Sequence, residues 1–171
     1  MKGITFIGMA GVGKSAVGKV FAELLNWKYI DLDKYILSKQ GMTHHEYMQA
    51  HGERALGELE NRYALEIDLM DTVFAPPGSM VYAKEAMGRI KRDSLVVYIK
   101  STPEIIAERL GRRLYTNGII GLEEKGLKGV MEERIPLYEK YADYTFVSGR
   151  QTKKEMAEKI LNGLKKKGVK I

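Results

Sequence analysis

Residues 8–15 have the types and spacing of a phosphate-binding loop, because they read G-M-A-G-V-G-K-S and match G-x-x-x-x-G-K-S. The glycines let several backbone N–H groups converge on one anion, and the start of a following helix adds positive charge there. In such a loop the lysine reaches the β- and γ-phosphates and the serine hydroxyl ligates Mg²⁺. A glycine-rich turn without a ligand is the alternative, which the order of strand, loop, Lys-Ser and helix disfavours. We therefore predict a nucleotide site formed by Gly8, Ala10, Gly11, Val12, Gly13, Lys14, Ser15 and Ala16.

A second chemical feature is the pair of carboxylates Asp31 and Asp33, which follows a short apolar segment at residues 29–30. Phosphoryl transfer requires a metal ion and an oriented acceptor hydroxyl, and a carboxylate can serve each of them. One aspartate is therefore a candidate metal ligand and the other a candidate catalytic group. The alternative is a structural role, since Asp31 or Asp33 could cap a helix that begins at Lys34.

Strand-like and helix-like patterns alternate along the chain, which predicts an α/β fold with a parallel sheet covered by helices on both faces. In such sheets ligands bind at the carboxyl ends of the strands, where the phosphate loop and both aspartates lie. Capping boxes at Thr43 with Glu46 and at Thr152 with Glu155 predict two helix starts. The predicted strands are residues 4–7, 29–30, 72–75, 95–99 and 144–147, and further predicted helices include residues 14–25, 79–90 and 102–109.

Length and composition restrict the class of protein. The chain has 171 residues, 44% of them hydrophobic, which predicts one domain over residues 1–171 with a buried core. It has no cysteine, so disulfides and thiolate metal sites are excluded. The net charge of +6 suits anionic ligands, and there is no basic stripe interleaved with aromatic residues. Since neither a signal peptide nor a long apolar run is evident, we expect a cytoplasmic monomer that binds no nucleic acid and no membrane.

These features together resemble the shikimate kinases, a family in the nucleoside-monophosphate-kinase-like group of phosphate-loop proteins. The resemblance extends over nearly the whole chain. It implies a three-layer fold with a five-stranded parallel sheet in the order 2-3-1-4-5, a mobile lid, and the cofactors ATP and Mg²⁺. The lid corresponds to the glycine-rich residues 111–129, and the acceptor-binding helices to about residues 33–62. Beside the phosphate loop and the two aspartates, the resemblance rests on Gly52, Glu53, Glu60, Arg109, Arg134-Ile135-Pro136-Leu137-Tyr138, Ala142 and Asp143.

The resemblance implies roles for the residues around the metal ion and the acceptor. Asp31 holds Mg²⁺ together with Ser15, in part through water. Asp33 hydrogen-bonds the acceptor hydroxyls and is the candidate base. Arg134 meets a carboxylate of the acceptor, and Gly78 lines the acceptor site. The acceptor itself is a small hydroxylated molecule.

The resemblance also implies roles for four arginines and a lysine around the nucleotide. Arg109 and Arg150 lie on either side of the adenine ring. Lys14 neutralises charge on the phosphates. One of Arg112 and Arg113 is the lid arginine that approaches the transferred phosphoryl group, and the sequence leaves open which of the two it is.

Three departures from the family pattern fall in the acceptor half and the lid. Gly57 replaces the arginine that binds the shikimate carboxylate. Pro76 and Pro77 replace two glycines of a three-glycine run. The lid reads Arg-Arg-Leu-Tyr instead of Arg-Pro-Leu-Leu. Losing one charge-assisted arginine contact typically costs about 1.5–3 kcal/mol. Arg54, about one helical turn before Gly57, is a possible replacement. We expect an ATP-dependent, shikimate-kinase-like small-molecule kinase that uses shikimate poorly and prefers a smaller hydroxylated metabolite.

Three other interpretations remain open at this point: a genuine shikimate kinase with a rearranged carboxylate clamp, a nucleoside monophosphate kinase, and a nucleotide-binding regulator without turnover. A nucleoside monophosphate kinase should offer arginines to an acceptor phosphate, and the segment at Gly57 offers none. The presence of Asp31, Asp33 and Arg134 counts against a regulator. The three histidines, His44, His45 and His51, are expected to face solvent or line the acceptor pocket rather than bind a metal.

Overall fold

The structure, a computed structural model, describes residues 2–171, and its centre is a parallel β-sheet. All five residues of the central strand β1 (Gly3–Ile7) are buried, as expected when helices cover both faces of a parallel sheet. The strand order β2-β3-β1-β4-β5 confirms the order that the family resemblance implies. The other strands are β2 (Lys28–Asp31), β3 (Thr72–Ala75), β4 (Ser94–Lys100) and β5 (Tyr144–Val147), and every pairing is parallel.

Helices connect the strands and supply the two outer layers. The first helix packs on the last helix and on β3, whereas the fourth and sixth helices pack on β4. Within residues 2–171, no helix is both long and apolar enough to cross a lipid bilayer. The helices are α1 (Lys14–Leu25), α2 (Leu32–Gln40), α3 (His44–Glu66), α4 (Lys84–Asp93), α5 (Pro103–Leu110), α6 (Leu122–Tyr141) and α7 (Lys153–Lys166).

The predicted helix starts agree with the structure because local hydrogen bonds determine them. The Thr43 and Thr152 side chains each accept from the backbone N–H three residues later, and the glutamates at those positions return the bond. Thr102 caps α5, with Pro103 at the first helical position. α3 is broken at Gly52, whose φ of 87° no helix interior allows, so its two halves run in different directions.

The predicted helix over residues 79–90 differs from the structure. A 3₁₀ turn covers Gly78–Tyr82, and α4 begins only at Lys84. The residue between them, Ala83, has φ −80° and ψ 84°, outside the helical region. Asn61 of α3 explains where α4 begins, because its Oδ1 accepts the N–H of Ala86 at 3.1 Å. A cap supplied by a distant helix leaves no local signal in the sequence.

Candidate active site

A cleft of about 470 Å³ lies at the carboxyl ends of the strands. Its walls come from the phosphate loop after β1, the start of α2 after β2, the Pro76–Gly78 segment after β3, and the chain that follows α5. This is the edge where an open parallel sheet binds its ligands.

The phosphate loop wraps the start of α1. Gly13 occupies the N-cap with a φ of 99°, and because glycine has no side chain to cap the helix, the first N–H groups of α1 stay available to an anion. Gly11 has a φ of 80°, and a Cβ there would lie 2.8 Å from Leu110 Cγ. The loop residues that line the cleft are Ala10, Gly11, Gly13, Lys14, Ser15 and Ala16. Gly8 and Val12 take part through their carbonyls, which accept bonds from Lys14 and Arg109.

Lys14 is buried against the loop itself. Its Nζ donates to the carbonyls of Gly8 at 2.8 Å and Met9 at 2.9 Å, and the residue is 8% exposed. Burial lowers the pKa of Lys14 to about 8, and the charge of Asp33 opposes that shift. An anion placed in the loop would stabilise the charged ammonium of Lys14. The ligand that suits the shape of the loop is therefore also one that keeps this lysine protonated.

Asp31 and Asp33 lie at the end of β2 and in the first turn of α2. Asp31 is the N-cap of α2: its Oδ1 accepts the N–H of Lys34 at 3.3 Å, and Tyr29 donates its hydroxyl to Oδ2 at 3.2 Å. The helix-cap alternative therefore describes Asp31 in this structure. Asp33 lines the same cleft with about half of its side chain exposed. Both carboxylates face the space in front of the phosphate loop.

Arg134, which the family resemblance assigns to the acceptor, lines the cleft and is 1% exposed. Its Nη2 donates to the carbonyl of Ile120 at 2.8 Å, its Nε donates to the Tyr82 hydroxyl at 3.3 Å, and its guanidinium lies over the Tyr82 ring. Gly78 is packed against it, because a Cβ on Gly78 would come within 3.1 Å of Arg134 Nη1, the Gly8 carbonyl and the Tyr138 hydroxyl. Pro76 and Pro77 complete this wall of the cleft.

The four arginines named from the sequence separate into two groups. Arg109 and Arg113 line the cleft. Arg109 donates to the Val12 carbonyl at 3.0 Å, to Ser148 Oγ at 3.1 Å and to the Gly149 carbonyl, and Arg113 donates to the Arg109 carbonyl at 2.9 Å. Arg112 and Arg150 are exposed outside that lining, and the Arg150 side chain is 89% exposed, 4.0 Å from a carboxylate oxygen of Glu108.

The segment proposed as a lid contributes Asn117, Gly118 and Ile119 to the lining of the cleft. Gly118 packs on the backbone of His44 and His45, since a Cβ there would come within 2.8 Å of both. The N–H of Gly121 donates to Glu53 Oε1 at 2.8 Å, and the carbonyl of Ile120 accepts from Arg134. A break at Gly126, with φ 65° and ψ 173°, separates the first turn of α6 from the rest of that helix.

His44 and Glu60, which the sequence named separately, form a buried pair beside the cleft, and the sequence did not predict that they meet. His44 Nε2 lies 3.5 Å from Glu60 Oε1 and 3.8 Å from Asp33 Oδ1. Sixteen positions of continuous helix would separate His44 from Glu60 by about 24 Å, so the break at Gly52 is what brings them together. Ser79 donates its hydroxyl to Glu60 Oε2 at 2.6 Å, and burial raises the pKa of Glu60 to about 8.

Comparison with known proteins agrees with this geometry. A family model described as shikimate kinase matches residues 10–165. The shikimate kinase of Caldanaerobacter subterraneus subsp. tengcongensis is 30% identical over 172 residues, which cover 98% of this chain and 99% of that protein. The shikimate kinase of Thermodesulfovibrio yellowstonii is 32% identical, with 94% of each chain covered.

Solved structures give the same result. The shikimate kinase of Acinetobacter baumannii in complex with shikimate matches with a TM-score of 0.89 and 26% identity, over 99% of this chain and 96% of that chain. The shikimate kinase of Aquifex aeolicus matches with a TM-score of 0.77 and 26% identity, over 96% of this chain and 97% of that chain. A nucleoside monophosphate kinase or a regulator without turnover is not favoured by these matches. The chain therefore belongs to the shikimate kinase family, and it is an ATP-dependent phosphotransferase that uses a hydroxyl group of a small molecule as acceptor.

Proposed function

We propose that this chain binds Mg-ATP at its phosphate loop and transfers the γ-phosphoryl group to a hydroxyl of a small metabolite other than shikimate. One observation carries the proposal: the loop, Asp31 and Asp33 line one cleft together with the altered acceptor residues Pro76 and Pro77. The nucleotide half has the features that phosphoryl transfer requires, and the acceptor half differs from the family pattern.

The residues at the metal position fit Mg²⁺. Ser15 offers a hydroxyl at the cleft, and Asp31 uses one lone pair on each oxygen for Lys34 and Tyr29, which leaves others free. Mg²⁺ prefers oxygen ligands and keeps several waters, so one serine and one nearby carboxylate are sufficient protein ligands. When bound, the ion neutralises charge that develops on the phosphate oxygens.

The arginines and Lys14 are assigned to the nucleotide. Lys14 leaves the loop carbonyls to bind the phosphates, where its positive charge stabilises the transition state. Arg113 is the lid arginine rather than Arg112, since Arg113 lines the cleft. Arg109, fixed by the Val12 carbonyl, supports one face of the adenine ring, and Arg150 covers the other face after its exposed side chain turns inward.

Asp33 is assigned to the acceptor hydroxyl, with Gly78 and Arg134 as further acceptor contacts. The hydroxyl oxygen attacks the γ-phosphorus, the bond from that phosphorus to the β,γ-bridging oxygen breaks, and ADP leaves. The hydroxyl proton passes to the Asp33 carboxylate, whose exposed half faces the cleft. The products are ADP and a phosphate monoester.

Shikimate fits this acceptor half poorly. Gly57 removes the arginine that the family uses for the carboxylate, and Arg54 does not replace it, because Arg54 Nε pairs with Glu58 at 2.9 Å and the side chain is 92% exposed. Arg134 already donates to Ile120 and Tyr82. The rings of Pro76 and Pro77 occupy the position of two glycines and supply no N–H donor.

The experiment that tests this proposal measures ADP release and ATP affinity for Asp33→Asn. We expect kcat to fall by about a hundredfold or more, the usual contribution of a general base, while the Kd for ATP changes by less than about twofold. Asp68→Asn is the matched control, because Asp68 is exposed and precedes β3 at the opposite end of the sheet. Wild-type turnover in Asp33→Asn with the best acceptor would refute the assignment.

A further inference from the structure

His44 and Glu60 each present an unpaired polar atom next to the proposed base. Among residues 2–171, the buried side-chain atoms that lack a hydrogen-bond partner are His44 Nε2, His45 Nδ1 and Glu60 Oε1. His44 is 7% exposed and Glu60 is 2% exposed, and the two unpaired atoms are 3.5 Å apart. Buried polar groups in native proteins are normally paired, so two adjacent exceptions beside the cleft mark a position where a ligand could complete the hydrogen bonds.

One carboxyl oxygen of Glu60, Oε2, already has a hydrogen-bond partner, so the other oxygen, Oε1, is the one available to a ligand. Ser79 donates its hydroxyl to Oε2 at 2.6 Å, so Oε1 remains for His44 and for a ligand. His44 Nε2 also lies 3.8 Å from Asp33 Oδ1. His44, Ser79 and Asp33 all line the cleft, so the unpaired atoms lie beside the point where the acceptor hydroxyl must sit.

Arg134 and Arg54, which line the cavities around this pair, are both engaged: Arg134 donates to the Ile120 carbonyl and the Tyr82 hydroxyl, and Arg54 pairs with Glu58. A Cβ on Gly57 would project into open space, and a second cavity of about 360 Å³, lined in part by Gly57, Glu60 and Ser79, lies behind the pair. An acceptor carboxylate would therefore face the Asp33 carboxylate, which lies beside His44. Like charges at short range disfavour such a complex.

We propose that His44, held beside Glu60, selects the acceptor of this chain, and that this acceptor is an uncharged polyhydroxylated molecule rather than a carboxylic acid. The inference rests on the proposed kinase function and names its substrate class. A hydroxyl both donates and accepts, so one hydroxyl can pair with both His44 Nε2 and Glu60 Oε1. A carboxylate only accepts, and it would leave one of these atoms unsatisfied.

The protonation of Glu60 supports the same substrate class. Burial raises the pKa of Glu60 to about 8, so near neutral pH the carboxyl keeps its proton and can donate to a hydroxyl oxygen. A neutral carboxyl next to an imidazole gives the acceptor wall little net charge. Such a wall recognises hydroxyl groups without demanding a charged partner.

Matched acceptor pairs test the inference, with erythritol and erythronate, ribitol and ribonate, and sorbitol and gluconate as probes. Each pair differs by one carboxylate, and we expect kcat/KM to favour the neutral member by at least about tenfold. His44→Leu should raise KM for the preferred polyol at least about tenfold, with a smaller effect on kcat and with the Kd for ATP unchanged. His51→Leu, at an exposed position of the same helix, is the control.

Gly57→Arg provides a second variant that does not depend on replacing a buried side chain. Its guanidinium would enter the open space beside Glu60, and we expect it to shift the preference toward the carboxylate member of each pair. Equal or greater turnover of the carboxylates by wild-type protein, or an unchanged preference in both variants, overturns the inference while the kinase function stands.

Acceptor binding in the presence of a non-hydrolysable ATP analogue separates the two proposals. Binding of a polyol that depends on His44, without turnover of any probe, supports the inference and refutes the kinase proposal. Neither binding nor turnover of any member of these pairs refutes both.

Discussion

Replacing Glu60 with glutamine should remove a pH-dependent loss of stability. Glu60 is 2% exposed, Ser79 occupies its Oε2, and burial raises the pKa of the carboxyl from 4.5 to about 8. Folding therefore favours the protonated carboxyl. Glutamine has nearly the same shape as that neutral acid and does not titrate, so Glu60→Gln keeps the packing and removes the proton.

The sign and size of the effect follow from proton linkage. A carboxyl whose pKa is higher in the folded state contributes fully below its unfolded pKa of 4.5, and that contribution is lost as pH rises to about 8. If the pKa of Glu60 differs between the two states by this full interval, the loss of unfolding free energy is on the order of 5 kcal/mol, at roughly 1.4 kcal/mol for each pH unit. The Ser79 hydrogen bond and the charge of Arg134 oppose the shift, and the range between about pH 5 and pH 8 limits the loss, so we expect about 2–4 kcal/mol.

Chemical denaturation of both proteins at several values between about pH 5 and pH 8 measures this loss. The difference in unfolding free energy between Glu60→Gln and wild type isolates Glu60, because the other titrating groups are common to both proteins. We expect that difference to move in favour of the glutamine variant by about 2–4 kcal/mol as pH rises over this range. Glu58→Gln, at an exposed position of α3, is the control. A difference that stays constant across the range would refute the reasoning.

Three further predictions concern turnover and the lid. Lys14→Ala should lower kcat by about a hundredfold or more while the protein stays folded, because the ammonium stabilises phosphate charge; near-normal kcat would contradict the phosphate-loop assignment. Arg113→Ala should lower kcat more than Arg112→Ala, since only Arg113 of the two lines the cleft; equal effects would argue against that choice. Amide hydrogen exchange in residues 111–129 should slow when an ATP analogue and an acceptor are both bound, and identical rates in the free and liganded protein would count against a lid.

Local chemistry is the part of this fold that the sequence made predictable. The capping boxes at Thr43 and Thr152, Pro103 at the start of α5 and the phosphate loop depend on residues only a few positions apart. Their hydrogen bonds form in the same way whatever surrounds them. The alternation of strands and helices predicted the parallel sheet, but its strand order required the family resemblance.

Contacts between distant segments could not be predicted in the same way. The start of α4 depends on Asn61 of α3, and the position of Arg109 depends on the carbonyl of Val12. His44 follows a capping threonine and could equally have faced solvent. It meets Glu60 only because α3 breaks at Gly52 and turns its first half back toward the cleft. The His44–Glu60 side of the cleft is therefore a product of tertiary structure, whereas the motif of the phosphate loop is local and can be read from the sequence.

The central claim is phosphoryl transfer to a hydroxyl, and ³¹P NMR of the complete reaction tests it most directly. The purified protein is mixed with ATP, Mg²⁺ and each polyol probe, and the phosphorus signals are followed with time. We expect the γ-phosphate signal of ATP to be replaced by the signals of ADP and a phosphate monoester in equal amounts, and we expect Lys14→Ala to produce neither. ADP with inorganic phosphate alone, or unchanged ATP with every hydroxylated probe, would contradict the claim.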